Sequence, residues 1–242
     1  MTRRGLADLH LHTSCSDGWP SPEEVVDHVT LETDLDVIAI TDHDTIEGAL
    51  RAADHSERVG GVSVIVGEEV SSRQGHILGL FLERRVRPGL SAAATVDEIH
   101  RQGGLAIAAH PFWRTERIAE RLGGPIHGVG WLAAELAFDA VEVENSSPGL
   151  GLSNVLAHRL ADASALTAVG GSDAHILEAL GKSATSFPGM TPRALRSAIE
   201  RGSTRPVRSR YEVGLLLRYA AWGLNHYRVA SVQQQLPARL RA

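Results

Sequence analysis

The chain has 242 residues, 43% of them hydrophobic and 22% charged. That is enough to bury a substantial core without covalent staples, and it excludes a disordered, collagen-like or coiled-coil chain. A net charge of −5 offers no general attraction to a polyanion, so no duplex-binding surface is expected. The single cysteine, Cys15, leaves neither an intrachain disulfide nor a thiolate zinc cage.

Met1–Arg4 is basic, but no apolar run of the kind an export signal needs follows it, which predicts a cytoplasmic location. Strands are predicted over Ala7–Leu11, Asp36–Thr41, Val62–Gly67, His76–Leu82, Leu105–Ala109, Ala140–Glu144 and Leu166–Gly170. Near-continuous apolar stretches such as Val37–Ile40 and Val64–Val66 suit strands covered on both faces. Helical patterns lie between most of them. Ser21-Pro22-Glu23-Glu24 is a capping box with proline in the first turn, and Thr191-Pro192 opens a late helix in the same manner. Gly60-Gly61, Gly103-Gly104 and Gly123-Gly124 mark helix ends or turns. Alternating strands and helices with buried strands predict an α/β fold whose sheet closes, or nearly closes, into a barrel.

The last segment differs. Tyr211–Ala230 is helical in character, with Leu215, Leu216, Leu217, Tyr219, Trp222 and Leu224 apolar and Arg218, His226 and Arg228 interrupting. Its apolar stretches are far too short to span a bilayer, so no membrane role is expected. A helix packed on the barrel, or on a second copy of the chain in a homo-oligomer, is the expected outcome. Ala238–Ala242 is expected to fray.

Twelve histidines stand against four phenylalanines and three tyrosines, and histidine is the commonest metal ligand. His28, His55, His100, His158 and His226 sit in helical patterns and His127 in a glycine-rich loop; these six read as surface or satisfied core residues. The other six fall at strand ends. His10 and His12 are two apart on one strand, so both imidazoles point the same way. Asp17 follows across a polar turn that can return a carboxylate over the strand end. Thr41-Asp42-His43-Asp44 ends the second strand, where buried charge is costly unless paired or metal-bound. Gly67-Glu68-Glu69 ends the third, Gly75-His76 opens the next, Ala109-His110-Pro111 ends the fifth, and Gly171-Ser172-Asp173-Ala174-His175 ends the seventh. Each alone reads equally well as a capped loop or core residue. Together they mark the strand C-termini, where a barrel assembles a site from several strands. Nitrogen and oxygen donors without thiolate suit zinc, manganese or iron, and carboxylates can bridge.

These motifs, His10-x-His12, Thr41-Asp42-His43-Asp44-Thr45, Gly67-x-Glu69, Ala109-His110-Pro111 and Gly171-Ser172-Asp173-Ala174-His175, resemble those of the polymerase and histidinol phosphatase (PHP) family, and most closely its short stand-alone metal-dependent phosphoesterases. The likeness runs from about Gly5 to Pro206. It implies a distorted (β/α)7 barrel over residues 1–206, followed by a C-terminal helical extension and tail over 207–242. It also implies two or three divalent metal ions (Mn, Zn or Fe) at the strand C-termini. One would be held by His10, His12, Glu69 and Asp173, a second by bridging Glu69 with His76 and His110, and a third by Asp17, His43 and His175. Glu69, Asp17, His43 and His175 carry the catalytic roles in this scheme. An aspartate at position 17 is closer to the nucleotide-type phosphoesterases of the family than to its histidinol phosphatases. Strand alternation sends Glu68 and Glu69 to opposite faces, leaving Glu68 structural. Asp42 and Asp44 are candidates to orient the imidazoles or cap loops.

The implied activity is hydrolysis of phosphate esters of small molecules, nucleotide-type phosphomonoesters or cyclic phosphodiesters, by a metal-bridging hydroxide. No serine or cysteine motif suggests a covalent intermediate. Trp113 and Arg114 follow His110 on the same loop and are candidate substrate contacts, Trp113 by stacking on a base and Arg114 by forking a second phosphate. Asn145, ending another strand, is a candidate to hydrogen-bond substrate or a ligand. Three alternatives stand beside this reading: a 5′-to-3′ exonuclease on short single strands, for which Arg205, Arg208 and Arg210 are a thin basic run; a histidinol phosphatase; and a non-catalytic PHP module serving a partner, against which the full ligand set argues.

Overall fold

The computed structural model describes residues 3–209 and 214–224. Expectations for Arg210, for 211–213 and for 225–242, including His226, Arg228 and Ala238–Ala242, fall outside the described residues. Strand β1 (Arg4–Leu11) is followed by α1 (Pro22–Glu32), β2 (Val37–Ile40), α2 (Glu47–Val59), β3 (Ser63–Ser72), β4 (Gly75–Leu80), α3 (Ala92–Arg101), β5 (Leu105–Ala108) and α4 (Glu116–Leu122). Then come β6 (Ala140–Asn145), α5 (Gly151–Ser164), β7 (Thr167–Gly171), β8 (Ser183–Pro188), α6 (Pro192–Glu200) and β9 (Arg205–Arg208). Residues 214–224 form a further helix, α7.

The strands make one mixed sheet in the order β7-β6-β5-β4-β3-β2-β1-β8-β9. Its two parallel runs, β1-β2-β3 and β5-β6-β7, are joined through antiparallel β4. The sheet curls until the segment after β7 meets β1. The Asp173 N–H donates to the His10 carbonyl at 2.8 Å, the His12 N–H to that of Ala174 at 2.9 Å, and the Ser172 N–H to Asp8 Oδ1 at 2.8 Å. The result is a nearly closed, distorted barrel.

All seven predicted strands are present. Strands β8 and β9 were not foreseen. The β8 sequence, SATSFP, hides polar side chains inside: Thr185 Oγ1 accepts the Gly170 N–H at 2.9 Å and donates to its carbonyl at 2.8 Å. β9 is a four-residue edge containing Pro206, placed where the missing N–H of proline is tolerated. The helix signals hold. Ser21 and Glu24 exchange the two capping-box hydrogen bonds, Thr191 Oγ1 accepts from the Ala194 N–H, and Gly60 ends α2 in the left-handed region at φ 69°.

Barrel interior and outer layers separate cleanly. Ala7, Leu9, Val37, Ala39, Ile65, Leu78, Leu80, Ile107 and Phe187 fill the interior, closed from below by Leu195, Ala198 and Ile199 of α6. Leu11, however, packs outward with Val25, Val26 and Ala49 of α1 and α2. Strict alternation from Ala7 and Leu9 would put Leu11 inside. The register shift between Asp8 and Leu11 in the β1–β2 pair switches the face and turns His10 and His12 inward. On β3 alternation holds: Ile65 and Glu69 face in, Val70 faces the outer layer.

Helix α7 lies on the barrel, with Leu215 and Tyr219 buried in the outer layer and Trp222 packed against it. Leu217 and Leu224 face solvent. Among the described residues no helix is long and apolar enough to cross a membrane.

Candidate metal centre

All nine sequence-predicted ligands meet at the C-terminal end of the barrel. Glu69 sits at the middle, almost wholly buried. Its Oε2 lies 3.2 Å from Nε2 of both His10 and His12 and 3.3 Å from Nδ1 of His43. Its Oε1 lies 2.8 Å from His76 Nδ1 and 3.0 Å from His110 Nε2. Asp173 Oδ1 is 3.5 Å from His10 Nε2 and 3.2 Å from His12 Nε2. Asp17 Oδ1 is 3.3 Å from His175 Nε2, and its Oδ2 is 3.9 Å from His43 Nε2. Four overlapping groups of three donors result: His10/His12/Asp173, His10/Glu69/His110, His12/His43/Glu69 and His12/Asp17/His175. The expected Asp17/His43/His175 trio is not one of them: His43 groups with His12 and Glu69, lying 3.3 Å from Glu69 Oε2 but 3.9 Å from Asp17, while Asp17 and His175 group with His12.

The donor set fits divalent cations. Nε2 of His10, both ring nitrogens of His12 and Nδ1 of His110 are buried and find no hydrogen-bond partner among the described residues. A buried polar atom left so is costly unless a cation meets it. Two rings have their other nitrogen engaged: His10 Nδ1 lies 3.0 Å from Glu142 Oε1, and His175 Nδ1 2.9 Å from the Asp173 carbonyl. That leaves Nε2 of each facing the cluster. Imidazole and carboxylate donors without thiolate suit Mn, Zn or Fe.

The electrostatics agree. Burial opposes charge on the Glu69 carboxylate, yet His43, His76 and His10 outweigh it and hold its pKa well below the usual carboxylate range. Burial likewise opposes charge on His12, but the nearby carboxylates of Asp173, Glu69 and Asp17 raise its pKa to about 10. The carboxylates draw positive charge into the pocket, as a cation site requires.

Several supporting residues were not legible as such. Glu142 ties three elements: Oε1 meets His10, while Oε2 accepts the His110 N–H at 2.8 Å and the Asn145 side-chain amide at 3.0 Å. Asn145 also donates to Asp173 Oδ2 at 3.2 Å, so it is buried behind the ligands, not at the mouth. Asp42 and Asp44 hold backbone, not imidazole. Asp42 accepts from the Thr13 N–H and from the hydroxyls of Thr13 and Ser16, shaping the turn that carries Asp17, and Asp44 Oδ1 accepts the Ser71 N–H. His110 and Asp173 have φ of 25° and 54°, a strained backbone for such side chains, costing roughly 1–3 kcal/mol each. Gly171 allows the close approach of β7 to β1: a Cβ there would lie 2.6 Å from that of His10.

Of the histidines read as bland, His55, His100 and His158 pair with Asp27, Asp139 and Glu144 at 2.7–2.9 Å. His127 does not belong with them. Its ring stands edge-on to His76 at 4.8 Å, and burial with the neighbouring His76 and His110 lowers its pKa to about 4. Glu68 turns away from the site, as alternation requires. Its Oε2 accepts the Val86 N–H at 2.7 Å, and burial raises its pKa to about 7.

Arg114 does not point into the site. Its guanidinium donates to the carbonyls of Gly123 and Pro125 at 2.7 and 3.4 Å, satisfying the chain end after α4, and Trp113 is partly exposed beside it. Arg114→Ala is therefore expected to change the KM for a bisphosphate and for a simple monoester alike. Steady-state kinetics on both substrates measure this, and a selective loss on the bisphosphate would return the guanidinium to the site.

Residues 8–114 match the PHP domain family and residues 151–204 the PHP-associated family. An uncharacterised protein of Methanocaldococcus jannaschii is 36% identical over 162 residues, 62% of this chain and 88% of that one. A phosphoribosyl 1,2-cyclic phosphate 1,2-diphosphodiesterase of Eggerthella lenta is 33% identical over 123 residues, 48% of this chain and 43% of its own length. A 5′-3′ exoribonuclease of Haemophilus influenzae is 40% identical over 81 residues, 32% of this chain and 29% of its own length. The chain thus spans less than half the length of either of these two enzymes. A two-domain protein of Bacteroides vulgatus, described as containing a PHP-like metal-dependent phosphoesterase, shares the fold with a TM-score of 0.68 at 20% identity, over 86% of this chain and 66% of that one. The chain belongs to the PHP family, a class of metal-dependent phosphoesterases.

Proposed function

We propose that this protein hydrolyses phosphate esters of small molecules, nucleotide-type phosphomonoesters or cyclic phosphodiesters foremost, using two or three divalent cations held by His10, His12, Asp17, His43, Glu69, His76, His110, Asp173 and His175. The observation that carries the reading is the convergence of eight of these donors in overlapping groups at one end of the barrel, with His76 joined to them through Glu69 and with buried imidazole nitrogens that have no hydrogen-bond partner among the described residues. Bound there, paired divalent cations supply an activated water and neutralise the phosphoryl oxygens. The chain's own work is to hold that arrangement rigid. Glu142 fixes the His10 ring and the His110 backbone, Asn145 braces Glu142 and Asp173, and the Asp173 carbonyl holds the proton on His175 Nδ1. His43 and Asp17 are the most exposed of the nine side chains, which makes their side the entry for a phosphate group.

Elemental analysis of metal-replete protein is expected to give two or three equivalents per chain; fewer than about two would remove the paired site. Hydrolysis is expected on p-nitrophenyl phosphate, nucleoside 3′,5′-bisphosphate or 2′,3′-cyclic nucleotide. The Haemophilus relative's name favours one other reading, 5′-to-3′ trimming of short RNA. Against it, Arg208 of the basic run is engaged with Glu144 at 3.5 Å. Stepwise release of nucleotides from a 5′-phosphorylated oligonucleotide, faster than from the small esters, would decide for that reading.

A further inference from the structure

Helix α7 does more than cover apolar surface. Leu215, Tyr219 and Trp222 are spaced four and three residues apart, so they share one face of the helix. That face lies on the two loops that carry Asp17 and Asp173. The Trp222 indole Nε1–H donates to the Asp17 backbone carbonyl at 2.8 Å. Its ring lies 4.2 Å from the His175 ring, tilted by 44°. The Tyr219 hydroxyl, buried, donates to the Asp173 backbone carbonyl at 3.0 Å. The same carbonyl lies 2.9 Å from His175 Nδ1, so Tyr219 braces the group that orients the His175 ring. The two loops are themselves joined by the Trp19 N–H donating to the His175 carbonyl at 2.9 Å. The turn that carries Asp17 is also closed by Thr13, whose carbonyl accepts the Ser16 and Gly18 N–H groups, and by Asp42, which accepts from Thr13 and the Ser16 hydroxyl, but none of these bonds reaches the loop of Asp173 and His175.

We infer that α7 is a latch on the His12/Asp17/His175 donor group: Trp222 and Tyr219 are positioning residues that hold Asp17 and His175 at their working separation, 3.3 Å between Asp17 Oδ1 and His175 Nε2. The inference rests on the proposed cation-dependent reading of the site, and it assigns α7 a task that the barrel's own ligands do not perform. Neither residue supplies a donor to the cation. Both act through a backbone carbonyl and, for Trp222, through a ring face.

The experiment is Mn2+ titration of the chelator-stripped full-length chain, with bound equivalents counted by elemental analysis, alongside thermal midpoints without metal. Trp222→Ala is expected to weaken the last-filled equivalent by about tenfold or more, the loss of a partly buried hydrogen bond and a ring contact together, with the tighter equivalents unchanged. Tyr219→Phe keeps the ring and its packing, so it reports even if Trp222→Ala does not fold. Losing one hydroxyl is expected to weaken that same equivalent about threefold to tenfold. Unchanged affinity for every equivalent in Tyr219→Phe overturns the latch. So does an equal loss at all equivalents with a falling thermal midpoint, the mark of a purely structural role. A wild-type chain that binds only two Mn2+ also overturns it, while leaving two-cation hydrolysis intact. The expected titrations with no hydrolysis of any phosphate ester would instead sink the proposed function and leave the latch standing.

Discussion

Glu69→Gln is expected to lower turnover by about two to three orders of magnitude, roughly 3–4 kcal/mol of barrier, whereas Glu68→Gln stays within about threefold of the parent. The two residues are neighbours in sequence and both are buried, so the contrast isolates which way each points. Glu69 offers one oxygen to His10, His12 and His43 and the other to His76 and His110. A glutamine puts an amide N–H₂ where one of those oxygens stood, and it removes the negative charge that faces five imidazoles. Glu68 instead receives the Val86 N–H, a bond that a glutamine carbonyl can keep. The test is kcat for both variants with bound metal counted in each. Equal losses at equal metal content would mean that the outward carboxylate matters as much as the inward one.

Asp17→Asn has a different expected signature. Its carboxylate is the nearest to His175 Nε2, at 3.3 Å, whereas His43 also has Glu69 Oε2 at 3.3 Å. Without that charge the His175 side of the cluster is left with imidazole donors, a weaker site for a hard or borderline cation. Bound metal should fall by about one equivalent, while the Glu69-centred donors keep theirs. Turnover should drop by about tenfold to a hundredfold with little change in KM, since the effect falls on the reacting phosphoryl group. The fold should survive, because asparagine makes the same turns as aspartate and the backbone carbonyl that Trp222 grips is untouched. Full metal content with normal kcat would reduce Asp17 to a turn residue.

The candidate donors were legible because most sit where an apolar strand ends, where a His, Asp or Glu needs a partner; His76 instead opens β4, and Asp17 lies in the turn after β1. What was not legible depends on partners far away in sequence. Glu142 lies within the run AVEVEN, where a carboxylate between valines is costly unless paired; that cost was the available signal, but nothing local names His10 and His110 as its partners. Of the two roles open to Asn145, hydrogen-bonding substrate or a ligand, strand-end placement does not choose; its complete burial against Glu142 and Asp173 does. His127 sits among glycines and has no periodicity to assign it a face. The inward turn of His10 and His12 follows from their spacing only in part: the two do share a side, but which side is set by a register shift with β2 that pairing, not sequence, creates. Strands β8 and β9 escaped because one buries serine and threonine and the other is short, charged and interrupted by proline.

The sheet's ladder runs from β7 around to β1 without the two strands sharing a regular pairing, and they meet toward the C-terminal end, where the segment Gly171–Ala174 reaches Asp8, His10 and His12. The donors straddle this seam, with His10 and His12 on one lip and Asp173 and His175 on the other. A cation bound by these donors would act as a reversible cross-link between the first and last thirds of the chain, closing a loop of more than 160 residues. In the unfolded chain those donors are far apart, so the binding energy accrues to the closed barrel alone. Metal supply would then govern how long the protein persists against proteolysis, and not only whether it turns over substrate.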